Sequence, residues 1–285
     1  MISCHTIEQL RTQVSQWQQN GETIAFVPTM GHLHAGHLSL IDIAKKKASR
    51  VIVSIYVNPL QFAQDEDFAS YPRTLDDDLV QLKSCDIDLV FLPDSTMIYP
   101  EGERLSTYVE VPELSHIIEG EFRPDFFRGV ATVVLKLFNL VEPDIAVFGE
   151  KDFQQLLIIQ RLVKDMCLPI EVVGGAIRRE ANGLAMSSRN VYLNNQEREI
   201  SYLLSEALSA FKQQIEARSS VADAQAICTR TLEKQGFIVD YATLRETSCL
   251  DAVSDNELVK DKELIILAAV KLGQTRLIDN LKFTL

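Results

Sequence analysis

The sequence contains few cysteines, and no two of them form the C-x-x-C pair that is typical of zinc and redox sites. The five cysteines are odd in number and widely scattered: Cys4, Cys85, Cys167, Cys228 and Cys249. Thiols without such partners usually behave as small apolar side chains. We therefore expect inert cysteines with a structural role.

Long apolar runs and an excess of positive charge are also absent. No apolar stretch approaches the roughly 20 residues that cross a bilayer, and the first residues lack a basic segment followed by an apolar one. We therefore expect a cytoplasmic protein without a membrane partner. The formal net charge is −12, from 28 basic and 40 acidic residues, and it argues against a nucleic-acid partner.

The most informative stretch is residues 28–37, which read P-T-M-G-H-L-H-A-G-H. The β-branched and aromatic residues 24–27 before it predict a buried strand, and apolar residues at helical spacing follow it: Leu38, Ile41, Ala44 and Ala48. The stretch is therefore predicted to be a strand-to-helix loop. Its two glycines allow a tight turn, and the helix N-terminus directs N–H groups at an anion.

Two histidines of this loop, His34 and His37, are spaced to share one face of the helix. Together they could place two imidazole donors on a phosphate. His32 taken alone is better explained as a cap or a satisfied polar residue, because a single histidine is weak evidence for catalysis.

The central part of the chain alternates between strand and helix patterns. Buried strands are predicted near residues 51–57, 89–92, 145–148 and 170–173, with helical patterns between them near 75–84, 130–141 and 156–163. This alternation is typical of a Rossmann-like, doubly wound parallel sheet in the α/β class. In such a sheet, ligands bind at the carboxyl ends of the strands.

Two charged clusters lie at ends of these elements. Asp76, Asp77 and Asp78 fall in the first turn of a predicted helix, where a solvated, dipole-compensating role is the default and a water-mediated magnesium contact is the alternative. Residues 149–152, G-E-K-D, follow a strand and precede a helix. Lys151 there suits a phosphate, and a surface ion pair with a neighbouring acid is the other possibility.

The pattern changes after Gly174 and Gly175. An irregular region is followed by a long helix over about 196–217, a helix around 222–234, a strand near 237–243 and a hairpin that turns at Gly273-Gln274. We expect residues 1–175 to form a Rossmann-like nucleotide-binding domain, and residues 176–285 to form a smaller α+β lid domain.

Five segments in order carry a resemblance to a known family. They are residues 28–37, V-N-P-L-Q-F at 57–62, Y-P-R-T at 71–74, F-G-E-K-D-F-Q-Q at 148–155 and M-S-S-R-N at 186–190. The H-x-G-H portion resembles the nucleotidyl-transferring α/β superfamily that includes class I aminoacyl-tRNA synthetases. The whole set resembles the pantoate–β-alanine ligases, also called pantothenate synthetases, over about residues 20–195.

The resemblance implies an ATP-dependent ligase that works in two steps. Pantoate attacks the α-phosphorus of ATP to give pantoyl adenylate and pyrophosphate, and β-alanine then displaces AMP. The implied catalytic residues are His34, His37, Lys151 and Arg189, with His37 as a proton donor. The implied ATP-binding residues are Met30, Gly31, His32, Leu33, His34, Ala35, Gly36, His37, Gly149, Glu150, Lys151, Asp152, Arg178, Met186, Ser187, Ser188 and Arg189.

The resemblance also assigns Gln61 and Gln155 to pantoate, since amide side chains can both donate to and accept from its oxygens, and Gln61 to β-alanine. The domain over residues 1–175 would thus bind both nucleotide and pantoate. The resemblance further implies a homodimer, and Mg²⁺ carried with ATP without a metal cage made by the protein. The second domain is expected to swing during the reaction.

One position departs from the family pattern. Phe126 stands where a histidine is usual, so Arg123 with Glu119 is only a candidate for the pocket rim.

Two other functions fit part of these observations. A different adenylyl or cytidylyl transferase would share the histidine loop without needing the two glutamines. A catalytically silent nucleotide-binding protein would fit the missing histidine. An assay that omits one substrate at a time and identifies the products would distinguish these two functions from the ligase.

Overall fold

The computed structural model describes residues 1–63 and 66–285. The described residues form two compact units. The first contains residues 1–150 and 155–176, and the second contains residues 151–154 and 177–285.

The first unit is built on a parallel sheet, in which the described residues supply six strands. They are β1 (Ile2–Cys4), β2 (Ile24–Thr29), β3 (Arg50–Ile55), β4 (Leu89–Phe91), β5 (Ile145–Gly149) and β6 (Glu171–Gly175). The order across the sheet is β1-β4-β3-β2-β5-β6, and every adjacent pair is parallel. The α/β class and the doubly wound sheet predicted from the sequence are confirmed.

Helices connect these strands. They are α1 (Ile7–Gln19), α2 (Ala35–Lys47), α3 (Leu75–Ser84), α4 (Ser95–Ile98), α5 (Glu119–Phe122), α6 (Phe126–Val141) and α7 (Phe153–Asp165). Alternate residues of each buried strand point to opposite faces of the sheet. Phe26 and Ile52 belong to a core with α1, α6 and α7, whereas Val27 and Val53 belong to a core with α2 and α3. Helices thus cover both faces of the sheet.

The short strand β1 was not predicted. Its three residues pair with β4, from Ile2 with Leu89 to Cys4 with Phe91, and extend the sheet by one strand. Only Cys4 of the three is buried, so the segment carries no apolar run that a periodicity argument could detect.

The second unit is an α+β arrangement, as expected. Its elements are α8 (Asn195–Ile200), α9 (Leu203–Glu216), α10 (Val221–Lys234), β7 (Ile238–Glu246), β8 (Glu263–Leu272) and β9 (Thr275–Thr284). The three strands form an antiparallel sheet in the order β7-β8-β9, with the predicted turn at Gly273-Gln274 between β8 and β9. The prediction of one long helix over 196–217 is wrong: the helix is interrupted at Ser201 and Tyr202, and the buried Ser201 hydroxyl donates to the Arg198 carbonyl.

None of the described helices is both long and apolar enough to cross a membrane. All five cysteines have free thiols. Burial raises the pKa of the Cys228 thiol to about 12, so this side chain stays protonated and unreactive at neutral pH.

Candidate active site

The topology of the first unit defines where a ligand can bind. Strand β2 has β3 on one side and β5 on the other, and the chain runs outward from β2 in both directions. The order of a doubly wound sheet reverses at such a point, and the loops at the carboxyl ends of its strands leave a crevice there. Residues 30–37, called the histidine loop here, span the loop after β2 and the first turn of α2, and the segment after β5 begins at Glu150.

The backbone of the histidine loop is held by Asp78, a residue of α3. One carboxylate oxygen of Asp78 accepts from the N–H of His32 at 2.8 Å, and the other accepts from the N–H of Leu33 at 2.7 Å. Asp78 is only 1% exposed. A Cβ atom on Gly31 would lie 3.1 Å from the same carboxylate, and Gly31 has φ +81°, a conformation that favours glycine.

The three acidic residues at the start of α3 therefore have different roles. Asp76 and Asp77 are exposed, as a solvated helix start requires. Asp78 is not, so the prediction of a solvated role is wrong for this residue. Its carboxylate is buried because it takes the place of a backbone partner for two N–H groups of a loop that forms no regular structure.

The two histidines cap α2 at its N-terminus. Nδ1 of His34 accepts from the N–H of Gly36 at 3.1 Å, and Nδ1 of His37 accepts from the N–H of His34 at 3.3 Å. The ring centroids lie 4.0 Å apart. A neutral imidazole that accepts at Nδ1 carries its proton on Nε2. Both rings therefore have the tautomer whose Nε2–H is a donor.

His32 faces a different neighbour. Its Nδ1 lies 3.2 Å from the hydroxyl of Thr74, next to the Asp78 carboxylate. This contact agrees with the interpretation of His32 as a satisfied polar residue that stabilises the loop. The structure brings His34 and His37 together and places His32 on the side of the loop that contacts α3.

Gln61 lies at the carboxyl end of β3, in a short 3₁₀ helix formed by Pro59–Gln61. It is 9% exposed, and its side-chain oxygen accepts from Asn58 at 3.0 Å. Gln155, the second predicted pantoate ligand, is partly buried in the first turns of α7. The histidine loop follows β2, which lies between β3 and β5 in the sheet. The segment with Gln61 follows β3, and the segment with Gln155 follows β5.

Arg123 supports the turn that contains Gln61. Its guanidinium donates to the Gln61 carbonyl oxygen at 3.0 Å and to both oxygens of Glu66, at 2.6 and 2.7 Å. The same group lies 3.7 Å above the ring of Phe126 and 3.4 Å from Glu119. Phe126, at the position where the family resemblance implies a histidine, is thus a cation–π partner of Arg123.

The segment 149–152 is divided between the two units after Glu150. In the second unit, the Lys151 carbonyl accepts from the amide of Asn280 at 2.9 Å. The assignment of the Lys151 ammonium to phosphate stays a prediction, and so does the alternative of a surface ion pair with a neighbouring acid.

The second unit holds the M-S-S-R segment in a hydrogen-bonded loop. The Ser187 hydroxyl accepts from the N–H of Arg189 at 3.3 Å and so caps the 3₁₀ helix Ser188–Tyr192. The N–H of Met186 donates to the carbonyl of Arg178 at 2.9 Å, and the Arg178 side chain is exposed.

Several residues that support this loop were missed by sequence reasoning. The buried Asn190 amide donates to Glu180 at 2.6 Å and to the Ala185 carbonyl at 3.1 Å, and Arg198 donates to Glu180 and to the Asn190 carbonyl. A further ion pair joins Arg179 to Asp279, whose side chain is 2% exposed. No local pattern marks these residues, because their partners are distant in the sequence or adopt irregular backbone.

The fold and the histidine loop at its switch point define a nucleotide-binding protein of the H-x-G-H α/β class. A family model for pantoate-beta-alanine ligase matches residues 2–282. A pantothenate synthetase from Shewanella amazonensis is 49% identical over 284 residues, 100% of each chain. The chain belongs to the pantoate–β-alanine ligase family.

Solved structures agree with this assignment. A pantothenate synthetase from Thermus thermophilus has a TM-score of 0.90 and 41% identity, with 99% of each chain covered. A pantoate-beta-alanine ligase from Francisella tularensis, complexed with β,γ-ATP and β-alanine, has a TM-score of 0.83 and 34% identity, with 99% of this chain and 97% of that chain covered. The family, the fold class and the enzyme class predicted from the sequence are confirmed.

Proposed function

We propose that the protein condenses pantoate with β-alanine in an ATP-dependent reaction that passes through pantoyl adenylate and releases AMP and pyrophosphate. Family membership over residues 2–282 carries this proposal. The neighbour from Francisella tularensis, described as a complex with ATP and β-alanine, supports both of these substrates.

In the first step, a carboxylate oxygen of pantoate forms a bond to the α-phosphorus of ATP while the bond to the β-phosphate oxygen breaks. Negative charge grows on the transferred and leaving phosphates. The Nε2–H groups of His34 and His37 are donors for that charge, and the ammonium of Lys151 adds a cation. The positive end of the α2 macrodipole lies at the same two histidines.

In the second step, the amine of β-alanine attacks the acyl carbon of pantoyl adenylate, and AMP leaves. No protein nucleophile is needed, which agrees with the raised pKa of the buried Cys228 thiol. We assign pantoate to Gln61 and Gln155, and β-alanine to Gln61. For the first step, adenylate formation, we assign the role of proton donor to His37.

The full set of proposed ATP ligands includes residues of both units. From the first unit we propose residues 30–37 with Gly149 and Glu150, and from the second unit Lys151, Asp152, Arg178 and residues 186–189. We propose that residues 1–175 bind the nucleotide and pantoate, and that residues 176–285 serve as the lid domain.

A Mg²⁺ ion bound with ATP would neutralise phosphate charge. Among the described residues, no group of three or more His, Cys, Asp or Glu side chains is arranged to hold a metal ion. We propose that phosphate oxygens and water would hold this ion. The exposed carboxylates of Asp76 and Asp77, at the start of α3, would be the candidates for a water-mediated contact with that ion. We further propose a cytoplasmic homodimer.

Omission of single substrates tests the proposed function. With ATP, pantoate and β-alanine together, the purified protein is expected to release pantothenate, AMP and pyrophosphate in equal amounts. No pantothenate is expected when any one of the three is left out. Release of ADP and phosphate in place of AMP and pyrophosphate would contradict the proposal, because it would place the attack on the γ-phosphorus.

A further inference from the structure

A buried chain of hydrogen bonds leads from Tyr99 through Asn58 to Gln61. The Tyr99 hydroxyl lies 2.8 Å from the Asn58 side-chain oxygen, and the Asn58 side-chain nitrogen lies 3.0 Å from the Gln61 oxygen. The same nitrogen lies 3.2 Å from the carbonyl oxygen of Gly129. Tyr99 and Asn58 are 2% and 1% exposed.

The chemistry of the partners fixes the direction of every bond in this chain. A backbone carbonyl can only accept, so the Asn58 atom beside Gly129 must be the NH₂ group. That group also faces Gln61, which must therefore turn its oxygen toward Asn58. The remaining atom of Asn58 is its oxygen, so the Tyr99 hydroxyl donates to it.

The position of the Gly129 carbonyl is itself fixed by packing. A Cβ atom on Gly129 would lie 2.2 Å from the carbonyl oxygen of Leu60, so only glycine lets α6 approach the 3₁₀ helix this closely. At its Asn58 end, the chain of hydrogen bonds is consequently attached to the close packing of α6 on the 3₁₀ helix.

Tyr99 is well suited to act as a permanent donor. Burial raises the pKa of its hydroxyl well above the ordinary value, with a smaller contribution from nearby Tyr56 and Glu103. The Lys136 ammonium lies 4.8 Å from the ring and donates to the Ile98 carbonyl at 2.7 Å, which holds the segment in place. The hydroxyl therefore keeps its proton across the physiological range.

The consequence for Gln61 is a defined polarity. Its oxygen is used by Asn58, so the group that it offers to a ligand is NH₂, with two N–H donors. The described residues provide no hydrogen-bond acceptor for that nitrogen. A ligand atom that meets it must be an acceptor, such as a carboxylate or hydroxyl oxygen.

We propose that Tyr99 is a positioning residue for substrate binding: together with the Gly129 carbonyl it holds the amides of Asn58 and Gln61, so that Gln61 presents only donors to an oxygen of the hydroxy acid. The inference rests on the proposed function, because it assigns that oxygen to pantoate. It adds a residue outside all five motif segments to those that determine substrate choice.

The Tyr99→Phe variant tests this role, and Tyr56→Phe is a matched control. Tyr56 is also buried, but its hydroxyl contacts the Ser95 hydroxyl at 3.1 Å and no amide. Loss of the hydroxyl from Tyr99 leaves the Asn58 oxygen unpaired, so only the contacts with the Gly129 carbonyl and the Gln61 oxygen still hold the Asn58 amide. We expect the KM for pantoate to rise about tenfold in Tyr99→Phe, with kcat and the KM for ATP within about twofold, and neither KM to change in Tyr56→Phe.

A second variant tests the polarity directly. Gln61→Glu keeps the length of the side chain and an oxygen that accepts from Asn58, but an ionised carboxyl offers no donor. We expect kcat/KM for pantoate to fall about 100-fold at pH 8. The ratio of this variant's kcat/KM to that of the unmodified protein should rise as pH falls through the pKa of the introduced carboxyl, because the protonated form regains an O–H donor. A purely structural role would not produce this pH dependence.

If the unmodified protein makes pantothenate, any of three outcomes would overturn the inference. They are an unchanged pantoate KM in Tyr99→Phe, an equal rise in the KM for ATP, and a pH-independent ratio for Gln61→Glu. If Tyr99→Phe fails to fold, the Gln61→Glu pH profile decides. Failure of the unmodified protein to release AMP from the three substrates would instead overturn the proposed function, and this inference with it.

Discussion

His37→Ala is expected to slow pantoyl adenylate formation by about 10²- to 10³-fold in a single-turnover experiment, and to change pantoate affinity by less than about threefold. The Nε2–H of His37 is assigned to charge that develops on the phosphates during transfer, so its loss raises the barrier more than it weakens the ground state. Lys151→Ala is expected to act in the same way. Rapid quenching with labelled ATP measures the rate, and equilibrium binding of pantoate measures the affinity.

A control is needed because His37 also caps α2 by accepting from the N–H of His34. Glutamine at this position of a helix can make the same capping contact, so His37→Gln retains the cap and removes the imidazole. We expect a loss of thermal stability in His37→Ala, worth about 1 kcal/mol, and little or none in His37→Gln. A normal single-turnover rate in either variant would remove His37 from the catalytic residues.

Asp78→Ala is expected to lower the free energy of unfolding of the first unit by about 2–5 kcal/mol. The substitution leaves the buried N–H of Leu33 and the partly buried N–H of His32 without their acceptor. The loop that carries His34 and His37 should then lose its fixed geometry, so kcat should fall as well. Chemical denaturation followed by circular dichroism gives the stability, and the pyrophosphate release assay gives kcat.

Asp77→Ala provides the matched control for this prediction. Asp77 precedes Asp78 in the same helical turn, but its side chain is exposed and it accepts from neither loop N–H. We expect its stability to change by less than about 0.5 kcal/mol. Equal losses in the two variants would show that the charge at the start of α3 matters and that the anchoring of the histidine loop does not.

Local patterns in the sequence were sufficient to predict most of the helices and strands. The helix predicted over residues 75–84 coincides with α3, and the hairpin at Gly273-Gln274 joins β8 to β9 as expected. These elements have strong periodicity and clear end signals, so neighbouring residues determine them. The doubly wound sheet followed from the alternation of such elements.

Residues that act through long-range contacts could not be found in this way. Asp78 contacts Leu33, 45 residues earlier in the chain, and Tyr99 contacts Asn58, 41 residues earlier. In the sequence, Asp78 is one of three adjacent acids and nothing distinguishes it from Asp77. Only the fold decides which carboxylate is buried against the loop.

The candidate site itself was predicted by motif resemblance more than by physical pattern. Histidine spacing indicated an anion-binding loop, and the structure adds the tautomer that makes both Nε2–H groups donors. The role of Phe126 was left open by the sequence. In the structure, the Arg123 guanidinium lies above its ring and also donates to the Gln61 carbonyl.

The central claim is that the carboxylate of pantoate attacks the α-phosphorus of ATP before β-alanine reacts. Transfer of ¹⁸O tests it most directly. Pantoate labelled with ¹⁸O in both carboxyl oxygens is incubated with ATP, β-alanine and the protein, and the AMP is analysed by mass spectrometry. The account predicts one ¹⁸O atom in each AMP formed, because the bridging oxygen of the adenylate leaves with the phosphate. Unlabelled AMP, formed together with pantothenate, would contradict it.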